Sequence, residues 1–139
     1  MRVSLRLEGE AFHFIGENEL GRRVDFDASP DIGGQDAGVR PMQAMLMSMG
    51  ACSAIDAVMI LRKQRQRIDR FAMTLDADRK VGGEPAPFTR IHFTFHLTGE
   101  IALDKATRAA ELAMTKYCSA LASLHPDIPV TFDIDLTPA

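Results

Sequence analysis

Tryptophan is absent from this 139-residue chain, tyrosine occurs once, and neither charge sign dominates: the formal net charge is −3 and the pI is near 5.8. That balance gives no electrostatic reason to expect nucleic acid or an anionic membrane as a partner. There is no CxxC, no HxxxH on a helix and no carboxylate cluster, so no metal site is expected. The glycine-rich "DIGGQDAG" lacks the spacing of a phosphate-binding loop, and no G-x-S-x-G occurs. The opening "MRVSLRLEGE" alternates polar and apolar residues and has no apolar central segment, which predicts no export signal. Cysteine is scarce, with only Cys52 and Cys118. Without an export signal, two thiols indicate a reducing, cytoplasmic setting, where they are catalytic, redox-active or simply buried rather than a structural disulfide.

What remains is an ordinary globular composition, 46% hydrophobic and 25% charged, with no repeat or low-complexity segment. The length suits one domain over residues 1–139 with a core of its own. Val3, Leu5 and Leu7 alternate with polar residues and predict a first strand. "AFHFI" (11–15) predicts a second, "GENELG" (16–21) a turn, and 24–27 a third strand. "ASPDIGGQDAGVRP" reads as a long loop. Further on, 71–78 and "FTRIHFTFHLTGE" (88–100) predict a long hairpin, 104–124 a helix of good helix formers, and 130–136 a last strand. The order β-β-β-α-β-β-α-β is an α+β pattern with mostly antiparallel strands.

The longest apolar run is "MQAMLMSMGACSAIDAVMIL" (42–61), which follows Pro41, a residue suited to a first helical turn. About twenty apolar residues can span a bilayer. Asp56 near its middle, the dilution by Ser48, Gly50 and Ser53, and the lack of a second span argue instead for a buried core helix. Five of the eight methionines lie here, suited to irregular packing. A helix apolar all round must be covered on all sides, which one chain of this size does poorly, so a dimer is expected. The basic "RKQRQR" (62–67) that follows complements the helix C-terminus.

His92 and His96 share a strand face about 13 Å apart, too far to ligate one metal, and are expected to face solvent. The cysteines each lie in an apolar helix, and cysteine is among the most often buried residue types. On helical spacing, Met45, Ser48, Met49, Cys52 and Asp56 share a face. A carboxylate one turn from a thiol disfavours the thiolate unless a cation intervenes. A reactive Cys52 therefore needs a positive neighbour, with Arg40, Arg22 and Arg23 as candidates.

"RPMQAMLMSMGACSAIDAVMILRKQRQ", "PFTRIHFTFHLTGE" and "KYCSALASL" followed by "VTFDI" together resemble the OsmC/Ohr family, nearest its OsmC-like branch. The resemblance spans nearly the whole chain. It implies an intertwined homodimer in which two central helices lie between sheets and the active sites sit at the interface. It also implies a cysteine-based thiol peroxidase for organic hydroperoxides, acting in oxidative-stress defence. Cys52 matches the peroxidatic cysteine and Cys118 the resolving one, with an apolar pocket at Met45, Met49 and Ile55. No cofactor is implied beyond an external dithiol reductant, with a lipoylated protein as one source. The sequence departs from the family pattern where members carry a Glu just after the proline of the central helix. Met42 and Gln43 stand there instead. That Glu pairs with an arginine beside the thiolate, and Arg40, at the helix start, is the candidate here. This departure keeps a second function in view: a dimeric protein of the same fold that binds a small apolar ligand, with inert thiols.

Overall fold

The computed structural model describes residues 1–139. The chain divides into two compact units, Met1–Leu46 and Met47–Ala139.

The first unit holds three antiparallel strands in the order β1 (Val3–Leu7), β2 (Phe14–Asn18), β3 (Arg23–Phe26). β2 lies three residues later than the sequence pattern suggested. Leu7 pairs with Phe14 and Asn18 with Val3, so Glu17 and Asn18 belong to the strand. Asn18 then closes the turn with its side chain, whose Oδ1 accepts from the backbone N–H of Leu20 and Arg22. β1, Val24 and Phe26 line an apolar groove over Gly16, open to solvent, with Val3 and Leu5 more than 60% exposed.

The following loop contains a short 3-10 turn, Pro30–Ile32, and is organised by Asp27. This carboxylate is buried and accepts from the backbone N–H of Ala28, Gln35 and Ala37 at 2.8, 2.8 and 3.0 Å. The loop ends where Val39 bridges Phe26.

Helix α1 (Pro41–Lys63) starts at Pro41 as its sequence implies, and the unit boundary falls within it. Its last turn carries Arg62 and Lys63, but the rest of the basic cluster lies beyond it. Arg65, at φ 57°, turns the chain, and Arg67 opens the next strand.

In the second unit β4 (Arg67–Arg79) and β5 (Phe88–Glu100) form the long hairpin. β6 (Val130–Pro138) joins the other side of β5 in parallel, giving the order β4-β5-β6. Alternation along β5 buries Ile91, Phe93, Phe95 and Leu97 on one face, and Phe95 meets Phe71 and Phe132 edge-on at 6.2 and 6.0 Å. The opposite face carries the histidines. His96 bridges the sheet between Thr74 of β4 and Asp135 of β6, at 3.0 and 2.9 Å. His92 meets Thr131 at 2.7 Å.

α1 buries a stripe of Met49, Ser53, Ala57 and Leu61 at four-residue spacing. Gly50 belongs to this face, and a Cβ there would crowd Leu75 of β4. Leu61 joins Leu97, Ile101, Ala106 and Ala109 in the core. The expected coverage on all sides is not met within one chain. Only 28% of the helix's most apolar window is buried, and Ile55 and Met59 are 62% and 49% exposed.

The expected helix over 104–124 is broken in three. α2 (Leu103–Leu112) packs an alanine face, Ala106, Ala109 and Ala110. A π-turn, Ala113–Tyr117, follows, then Cys118 in extended conformation, then α3 (Ser119–Ala122).

Candidate active site

The break in the second helix places its cysteine. In the π-turn the Cys118 N–H reaches back to the Ala113 carbonyl at 2.9 Å, so one extra residue is accommodated before the chain leaves the helix. Cys118 then caps α3, its Sγ accepting from the Leu121 N–H at 3.4 Å. Its thiol points across to α1, where the Met49 carbonyl is the acceptor at 3.9 Å.

On α1 the neighbours of this thiol are Cys52 and Ser53. Cys52 is half-buried and Cys118 is 3% exposed; both are free thiols. Burial pushes the Cys118 thiol up from its ordinary value, and the adjacent Cys52 adds to the rise. The Ser53 hydroxyl and the Leu121 N–H oppose it by favouring the thiolate. Ser53 is completely buried, and its Oγ beside Cys118 has no partner of regular hydrogen-bond geometry. Ser53 was not singled out from the sequence. The signal was present as the one polar residue in the apolar four-residue stripe from Met49 to Leu61.

The two cysteines are thus brought together from different helices, and they differ in access. Cys52 is the more exposed of the two thiols, and Cys118 the more buried. Two neighbouring free thiols of unequal exposure are chemically able to form a disulfide.

Arg40 lies in the first unit at the start of α1. Its guanidinium donates to the Gly38 carbonyl at 3.2 Å and pairs with the Asp36 carboxylate. Gln43 accepts from the Arg40 backbone N–H at 3.0 Å, as the third-position residue of a capping box does. Gln43 therefore fixes the backbone of Arg40 while Asp36 holds its charge. Arg23 pairs with Glu17 at 2.9 Å on the sheet surface, and Arg22 lines the apolar groove there. Of the side chains expected to form a pocket, Met49 is buried, while Met45 and Ile55 are exposed on other parts of the helix surface. Asp56 opens onto a cavity of about 320 Å³ with Lys63 and Tyr117. A second cavity, about 380 Å³, reaches Cys118 and is lined by Leu121, Leu124, Ile128 and Phe132 among others.

The family model for OsmC-like protein matches residues 33–133, from the Asp27-organised loop through both cysteines to the last strand. The chain belongs to the OsmC-like family. Protein YhfA of Escherichia coli is 35% identical over 133 residues, 94% of each chain, and Protein YhfA of Shigella flexneri matches equally. Among solved structures, a hypothetical protein from Aquifex aeolicus superposes with a TM-score of 0.85 at 26% identity, covering 99% of this chain and 96% of its own. An organic hydroperoxide resistance protein OsmC from Legionella pneumophila shares the fold at 15% identity, with a TM-score of 0.68 over 96% and 95% of the two chains. The OsmC-like fold expected from the sequence is the fold observed.

Proposed function

We propose that this OsmC-like protein is a thiol peroxidase that reduces organic hydroperoxides in oxidative-stress defence. The observation that carries this reading is the half-buried free thiol of Cys52 against the buried free thiol of Cys118. Cys52, as thiolate, attacks the terminal peroxide oxygen; the O–O bond breaks, an alcohol leaves, and a sulfenic acid remains. Cys118, as thiolate, attacks that sulfur, expels hydroxide and closes the disulfide. An external dithiol, free or on a lipoylated protein, restores both thiols. The Ser53 hydroxyl and the Leu121 N–H assist by favouring the Cys118 thiolate against the cost of its burial.

The working form is a homodimer in the cytoplasm. The exposed apolar faces of α1 and of the β1–β3 sheet support a second copy as their cover. Arg40 is the cation available at the helix start, restrained by Asp36 and Gln43. That restraint, and the uncharged Gln43, favour the second reading, a dimeric binding protein for a small apolar ligand.

Cumene hydroperoxide added to reduced protein decides between them. The peroxidase consumes peroxide, loses both thiols and yields a Cys52–Cys118 disulfide on peptide mapping. Cys52→Ser abolishes this, while Cys118→Ser leaves a sulfenic acid at Cys52 that dimedone traps. Thiols unchanged at excess peroxide overturn the peroxidase and leave the binding protein.

A further inference from the structure

Helix α1 carries a second polar feature, which the thiols do not use. Asp56 and Lys63 line the cavity of about 320 Å³ and are its only charged side chains. Neither cysteine lines it. Asp56 and Lys63 do not pair with each other or with any other side chain. Their spacing explains how one wall holds both. Residues 56, 59, 60 and 63 follow the i, i+3, i+4, i+7 pattern and share one face of α1. Two turns, about 10 Å of rise, separate Asp56 from Lys63, and Met59 and Ile60 stand between them. Along this wall the order is anion, apolar stretch, cation.

The π-turn makes the facing wall. Leu112 and Tyr117 both line the cavity although they are five residues apart. In a continuous α-helix that spacing sets side chains about 140° apart around the axis, which would carry Tyr117 away from Leu112. The residue inserted over Ala113–Tyr117 brings Tyr117 back to the same side. The break that places Cys118 therefore also shapes this cavity, adding a phenol and an apolar side chain to it.

An apolar middle with a few polar groups is the make-up of a small-molecule site. An anionic ligand would meet Asp56 and a cationic one Lys63, whereas a ligand of both signs satisfies both. We propose that this cavity binds a small zwitterion of the ω-amino acid class, with its ammonium and carboxylate at opposite ends of an apolar segment. The ammonium meets Asp56, and the apolar segment lies on Met59, Ile60 and Leu112. The carboxylate meets Lys63, with the Tyr117 hydroxyl as a second donor. The site needs neither thiol and stands apart from the peroxidase cycle. Met59 also belongs to the apolar surface that the proposed homodimer would cover, so a partner chain is the competing occupant.

Isothermal titration of the reduced full-length protein tests this with four ligands. They are ε-aminocaproate, its isomer norleucine with both charges on one carbon, caproate and hexylamine. The ε-aminocaproate should bind about tenfold tighter than each of the others, the factor expected for one charge-assisted contact. Asp56→Asn should abolish its advantage over caproate and keep that over hexylamine, and Lys63→Gln should do the reverse. Misfolding lowers all affinities together and cannot produce this crossed pattern. Norleucine or caproate binding as tightly as ε-aminocaproate overturns the proposal, as do preferences that neither variant changes, or no binding at about 10 mM. Binding that appears only after Ile55→Glu dissociates the dimer assigns the cavity to a partner chain and overturns it too. Lys63→Gln, at an exposed position, decides the matter alone if Asp56→Asn does not fold.

Discussion

Asp27 shows how one residue can hold a segment that has no regular structure. Its carboxylate gathers three backbone N–H groups of the loop, and those bonds hold it below the usual carboxylate range, with the Arg40 charge adding to the effect. A carboxylate lowered in the folded state contributes stability at pH values above its unfolded value of about 4. That contribution is lost as pH falls through the lower folded value. Asp27→Asn should therefore destabilise the protein at neutral pH, because an amide presents donors where only acceptors fit. The same variant should flatten the loss of stability below about pH 4, as read by urea titration across that range. Nothing in the local sequence "FDASPD" marked this carboxylate as buried. Its partners lie eight and ten residues downstream, and only the folded loop brings them to it. The thiols were easier to read. Cys52 and Cys118 stood out by scarcity, whereas Ser53 was hidden because a serine in an apolar helix looks like dilution until its face is known.

Elements differed in legibility for reasons that can be named. α1 and the β4–β5 hairpin were plain because a proline start and sustained alternation are local signals. β2 was displaced because "AFHFI" and "FIGEN" both fit a strand, and pairing with β1 and β3 selects the second. The parallel seating of β6 was not legible, since alternation does not encode direction. Most telling is the break between α2 and α3. Every residue from 104 to 124 is compatible with a continuous helix, yet the π-turn inserts one residue and frees Cys118 to cap α3 toward α1. Deleting the exposed Thr115 should restore α-helical register and rotate Cys118 by about 100° about the helix axis. Circular dichroism should then show helix retained, while diamide no longer yields the Cys52–Cys118 disulfide.

For the molecule as a whole, the outer surface of α1 sets the requirement. Ile55 and Met59, one turn apart, stay exposed in a helix whose length and composition would suit a membrane. The homodimer proposed above would answer the same need in water. Sedimentation should give twice the 15.3 kDa chain mass. Ile55→Glu should weaken that association by about 2 kcal/mol or more, roughly thirtyfold in Kd, because a charge then replaces apolar area that the proposed homodimer would cover. A melting temperature that rises with protein concentration should accompany the proposed homodimer.

The way β6 joins its sheet also orders events in time. The hairpin of β4 and β5 closes across the short segment 80–87, whereas β6 reaches β5 only after residues 101–129 have crossed back. Closing a longer loop costs more chain entropy, and contacts distant in sequence form more slowly. Cys118 rides in that crossover, so its contact with Cys52 should be among the later ones to form. The meeting of the two thiols should therefore come late in folding, when little of the chain remains to be placed.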